Sequence, residues 1–156
     1  MDSLGIRTSK HSLGALMGYT HYWRQKVAPT EVQWNNICTD FNKLCFGSFL
    51  DKPFPIQRES DNSDRPLVSD SLIAFNGIGS NAHETMYFER NALGFGFCKT
   101  NKKPYNMVVV LLLILAYNLA EDVWLITSDG NQDDWLPVLD WMNSTGIGIY
   151  QMPVTV

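Results

Sequence analysis

The feature that most limits this chain is the run from Met107 to Tyr117, eleven residues without a charge. A helix must offer roughly 20 apolar residues to cross a bilayer, so this run is read as a helix buried inside protein. Pro104 fits the first turn of that helix, which the pattern extends to about Ala120. A helix apolar on all sides has to be covered on all sides, which calls for a sheet and further helices around it. The 156 residues match one domain. Their 45% hydrophobic content, with five Trp, six Tyr and eight Phe, can fill its core without a metal or a disulfide.

Thr30, with Gln33 three residues on, makes a capping-box pattern ahead of Trp34, Ile37, Phe41, Leu44 and Cys45, so a helix is predicted to run to about Phe46. Tyr19 to Trp23, Leu72 to Asn76, Glu84 to Arg90, Phe95 to Thr100 and Val123 to Thr127 have the length and composition of strands. Asp51 to Asp70, with three prolines, reads as a long surface loop. Trp135, Val138, Leu139 and Met142 mark a third helix ending before Gly146. Ile147 to Met152 is predicted as a last edge strand, open to pairing across a dimer. The expected class is α+β: a single mixed β-sheet, combining an antiparallel meander and a β-α-β unit, covered by about three helices. Residues 1–16 are expected to be a flexible N-terminal extension ahead of a single α+β domain at 17–156.

A net charge of −4 gives no general attraction to phosphate backbones or anionic membranes, so neither a membrane partner nor non-specific nucleic-acid binding is expected. Cys38, Cys45 and Cys98 are odd in number and lack a metal-binding spacing, which points to reduced thiols inside a cell. No metal and no cofactor is expected.

Topology concentrates the polar residues. If the 95–100 and 123–127 strands are parallel neighbours or near-neighbours joined by a right-handed crossover, their carboxyl ends share one sheet edge. Lys99, Thr100, Ser128 and Asp129 then lie on that edge, and the meander adds Asn76 and Glu84. Ligands of open α/β sheets bind outside the carboxyl ends of strands, which makes this edge the candidate ligand-binding site. Lys99, Lys102 and Lys103 precede a helix N-terminus, a combination suited to an anion. Neither GxxxxGK[ST] nor GxGxxG is present. His21, set among aromatics, joins the candidates as a general base, a phosphate donor or a packed core histidine. Glu84 fits an acid/base role or a hold on Lys99, and Asp129 fits a hold on a ligand hydroxyl or a cap on the following helix. Cys98 is expected to be a buried thiol, and Trp124, Trp135 and Trp141 to fill the core.

Met17-Gly18-Tyr19-Thr20-His21-Tyr22-Trp23, Phe75-Asn76-Gly77, Glu84-Thr85, Phe97-Cys98-Lys99-Thr100 with Lys103-Pro104-Tyr105, and Ser128-Asp129-Gly130 occur in this order. Together they resemble a family of small hypothetical proteins of bacteria and their phages, over most of residues 17 to 145. That family commonly has Asp after Pro-Tyr, where this chain has Asn106, so a mechanism needing a carboxylate there lacks it. The resemblance implies phage or mobile-element biology in the cytoplasm of a bacterial host cell, and no particular reaction.

Three readings stand at this stage. The first is a non-catalytic protein that captures a small anionic, nucleotide-like ligand in host–phage conflict. The second is a small hydrolase or transferase using His21, Glu84 and Asp129. The third is an inhibitor whose acidic surface covers a basic site on a host defence protein.

Overall fold

The buried helix and five of the expected strands appear in a computed structural model that describes residues 18–59 and 61–156, which also has a short strand at Leu67–Val68, inside the segment expected to be a loop. The expected extension at 1–16 lies outside those residues. The order is β1 (Thr20–Gln25), α1 (Glu31–Phe46), β2 (Leu67–Val68), β3 (Leu72–Phe75), a 3-10 turn (Gly79–Asn81), β4 (Met86–Glu89), β5 (Gly94–Lys99), α2 (Asn106–Leu119), β6 (Trp124–Ser128) and α3 (Gln132–Ser144). The class is α+β, with three helices.

Local chemistry explains the helices. At the start of α1 both halves of the capping box are made: Gln33 N–H donates to Thr30 Oγ1 at 3.0 Å, and Thr30 N–H donates to Gln33 Oε1 at 2.9 Å. Helix α2 begins at Asn106, two residues after Pro104, and every residue from Val108 to Ala116 is buried. Helix α3 tolerates Pro137 within its second turn and is capped by Asn131 with Asp134, not by Asp129.

The strands form two three-stranded sheets, β5-β1-β6 and β2-β3-β4, where one mixed sheet was expected. Every pairing is antiparallel. Since β5 and β6 both run opposite to β1, they are parallel to each other with β1 between them, and α2 is the crossover of the expected β-α-β unit. The two sheets separate between β4 and β5, where the buried Gln25 amide bonds the turn. Its Nε2 donates to Arg90 O at 2.6 Å and its Oε1 accepts from Ala92 N–H at 2.8 Å. Further along, Glu84 N–H reaches Lys99 O at 3.3 Å.

The 147–152 segment is not a strand. Two helix amides bond its backbone in place of a neighbouring strand. Asn143 accepts from Tyr150 N–H at 2.7 Å and donates to Tyr150 O at 3.1 Å, while Asn118 does the same for Gln151 at 2.7 and 2.9 Å. Those bonds occupy backbone groups that the expected dimer edge would have needed. One apolar cluster links both sheets and all three helices, and in it the Phe88 ring contacts those of Trp23, Trp34 and Trp124. No helix among the described residues is long and apolar enough to cross a membrane.

Candidate functional site

Alternation along β1 turns His21, Trp23 and Gln25 into the core and leaves Thr20, Tyr22 and Arg24 on the other face. The register places Thr20 opposite Lys99, and His21 opposite both Cys98 and Ser128. The carboxyl ends of β5 and β6 therefore meet at the start of β1, and the candidate residues divide between the inner and outer faces of the sheet.

On the inner face, His21 is fully buried. Its Nε2 is 2.6 Å from Asn106 Oδ1, which also accepts from Thr100 Oγ1 at 2.6 Å. Its Nδ1 is 2.8 Å from Ser128 Oγ, which accepts from Gly130 N–H at 2.9 Å. One proton assignment satisfies the whole chain: His21 donates from Nε2 to Asn106, and Ser128 donates to Nδ1. Burial lowers the imidazole pKa to about 4, against the smaller opposing pulls of Asn106, Asp129 and Asp134. A neutral imidazole is thus held between the two strand ends and the first residue of α2, with Tyr19 and Trp135 edge-on to it at 5.1 and 5.5 Å. Thr100 is also fully buried, so it and His21 position the site.

Asn106→Asp is expected to raise the His21 pKa by roughly one pH unit or more, because a carboxylate against Nε2–H favours imidazolium. Imidazole NMR shifts followed against pH read this directly. An unchanged midpoint would contradict the assigned hydrogen-bond chain.

The loop after β5 carries the positive charge. Asn101 and Lys102 both adopt left-handed backbone, with φ of 54° and 57°, and Lys103 N–H closes the turn on Thr100 O at 3.0 Å. A lysine in that conformation costs roughly 1 kcal/mol or more while Asn tolerates it, and such strain persists where surrounding bonds enforce it. The enforcing bonds are visible: Thr100 N–H and Asn101 N–H both donate to Tyr19 O, at 2.9 and 3.2 Å. The Lys102 ammonium lies 4.7 Å from the centre of the Tyr19 ring. The Lys99 stem lies across Gly18, whose φ is +93° and where an added Cβ would stand 2.0 Å from Lys99 Cε. Among the described residues, no carboxylate forms a salt bridge with Lys99, Lys102 or Lys103.

Three further candidates are tied up by bonds within the chain. Asp129 does not cap α3; its carboxylate accepts from Thr20 N–H and from the Tyr22 hydroxyl, each at 3.0 Å, at the start of β1. Glu84 holds Lys99 by the backbone, its Oε1 accepting from Lys99 N–H at 2.9 Å, while its carbonyl accepts from the Tyr105 hydroxyl. Asn76 is fully buried; its amide donates to His83 O and Thr85 Oγ1 and accepts from Gly77 and His83 N–H, which shapes the 77–85 loop. Bonds from Asn76 to Thr85, Glu84 to Lys99 and Thr20 to Asp129 form one continuous series along the edge. His21 and Asp129 nonetheless lie on opposite faces of the sheet, and Glu84 is engaged with neither.

Burial pushes the Cys98 thiol up to about 12, as suits an inert core residue. Trp124 and Trp135 are buried as expected, and Trp141 packs half-buried against Phe54. The aromatics that face solvent at this end are Tyr22, Phe95 and Phe97, which the sequence reading did not single out. The signal was the Gly-Phe alternation of β5, silent about which residue type faces in. A groove of about 530 Å³ lies elsewhere, lined by Asn42, Lys43, Phe46, Arg65 and Val68 among others.

Set against family models, curated proteins and solved structures, the chain matches none of them.

Proposed function

We propose that this chain is a small binding protein that captures an anionic, nucleotide-like ligand at the edge where β5 and β6 end. The observation that carries this reading is the lysine turn. In a chain of net charge −4, three lysines within five residues stand without salt-bridge partners among the described residues, around a turn in which Asn101 and Lys102 are left-handed. Cations without a carboxylate partner among the described residues, beside a turn fixed by backbone hydrogen bonds, suit a phosphate. Lys99 and Lys103 would meet the anion, and Ser128 and Asp129, both partly exposed, would meet polar groups beside it. His21, Thr100, Asn76 and Glu84 would fix the loops in place.

The acid–base reading has less support. His21 is neutral and has both ring nitrogens engaged, and Glu84 and Asp129 do not converge on it. The setting this proposal carries is host–phage conflict in the cytoplasm of a bacterial cell, as the resemblance implies.

Titration calorimetry with nucleotides, cyclic nucleotides and ADP-ribose derivatives tests the reading. One of these is expected to bind, and Lys99→Ala to weaken it roughly ten-fold or more, as for loss of a charge-assisted contact. Absence of binding across the panel, or affinity indifferent to Lys99 and Lys103, would refute it.

A further inference from the structure

Strand β5 is built inside out. Its inward positions are Gly94, Gly96 and Cys98, and its outward ones are Phe95, Phe97 and Lys99. Gly96 is required by its neighbour: a Cβ there would stand 2.4 Å from Trp23 Nε1, so the indole takes the space that a β5 side chain would otherwise fill. The phenylalanines are left outside, 61% and 54% exposed. Tyr22 lies across from Phe97 in the register, with its ring 5.8 Å from that of Phe95, and the rings of Phe95 and Phe97 are 6.0 Å apart. No helix among the described residues covers this row. Exposed contiguous apolar surface of this kind marks an interaction site.

Charge says what would cover it. Lys99 follows Phe97 on the same face of β5, and Arg24 is paired with Phe95 at the other end of the row. Among the described residues neither has a salt-bridge partner. An apolar protein surface laid here would strip water from both cations and leave them unpaired, which is costly. A nucleotide presents a flat ring to stack and a phosphate to pair, so the same face satisfies it throughout. Two carboxylates border the row, and both are engaged: Asp129 holds the Tyr22 hydroxyl and Thr20 N–H, and Glu84 holds Lys99 N–H.

We propose that the outer face of the β5-β1-β6 sheet stacks nucleobases, with Phe95, Phe97 and Tyr22 as the platform and Lys99 and Arg24 taking the phosphates. The ligand class is then a free nucleotide, since a chain of net charge −4 gives no general attraction to a polymer of phosphates. This deepens the rim reading and rests on it for the phosphate contact at Lys99.

The test is calorimetric titration of the full chain and its Phe97→Leu and Lys99→Ala variants with adenosine, pyrophosphate, ADP and a six-nucleotide single strand. Loss of the ring in Phe97→Leu is expected to weaken ADP or the single strand roughly ten-fold while leaving pyrophosphate unchanged, with circular dichroism confirming the fold. Lys99→Ala should weaken all phosphate-bearing probes. Tighter binding of ADP than of the single strand supports the free nucleotide, and the reverse overturns that assignment. If Phe97→Leu binds ADP and the strand like the parent, stacking is overturned and the rim reading survives. Ring-dependent binding of adenosine together with no response to pyrophosphate overturns the rim reading and supports stacking. Failure of every probe overturns both. A dimer, seen by light scattering, that Phe97→Leu dissociates overturns stacking alone, since a second copy would then occupy the face.

Discussion

Lowering the pH from 7 to 4 is expected to remove about 3 kcal/mol of folding stability through His21 alone. The imidazole is buried and neutral, with its pKa lowered from 6.5 to about 4 mainly by desolvation. The unfolded chain binds a proton below about pH 6.5, and the folded chain resists it until about pH 4. Stability from this group is therefore complete above pH 6.5 and drains away as the pH falls towards 4. Other groups titrate in the same window, so the contrast with His21→Gln isolates the effect. In urea unfolding, the advantage of the parent over His21→Gln should shrink by about 3 kcal/mol between pH 7 and pH 4. A difference that stays constant would mean that His21 is not buried in neutral form, and the network joining β1, β6 and α2 would lose its basis.

The second large effect concerns Phe88. It is buried with its ring 4.8 Å from Trp124, 5.6 Å from Trp23 and 6.1 Å from Trp34, so it joins the β2-β3-β4 sheet to the other sheet and to α1. Phe88→Ala is expected to cost about 3–5 kcal/mol, the range for emptying a phenylalanine site in a packed core. For a chain of this size that is a fall of roughly 10 °C in Tm. Phe97 offers the control. It is the same residue type on an adjoining strand but 54% exposed, and Phe97→Ala should stay within about 0.5 kcal/mol. Scanning calorimetry of the two variants distinguishes the faces. Equal losses would show that β5 has the opposite orientation.

That contrast also marks how far the sequence could be read. The helices were legible because their signals are local. Thr30 and Gln33 cap each other within one turn, and the run from Met107 to Tyr117 has to be buried whatever surrounds it. The parallel relation of β5 and β6 was legible too, because a strand, a helix and a strand in succession leave few arrangements. What failed depends on distant partners. Gly96 faces inward only because Trp23 arrives from β1, so the alternation in β5 could not reveal that its phenylalanines point to solvent. The 147–152 segment has the composition of a strand, yet Asn118 and Asn143 on two helices bond its backbone first. The candidate residues were placed at the right strand ends, but register decides their face: His21 and Thr100 turn inward, and Lys99 and Asp129 do not. Capping by Asp129 failed because Asn131, two residues on, makes the full capping box with Asp134.

Amide chemical-shift mapping of the labelled protein with a bound nucleotide shows whether the ends of β5 and β6 form the binding edge. Perturbations are expected at Lys99 to Lys103 and Ser128 to Gly130, spreading over Phe95 and Phe97. Perturbations gathered instead around Lys43, Phe46 and Arg65, where the 530 Å³ groove opens, would contradict it.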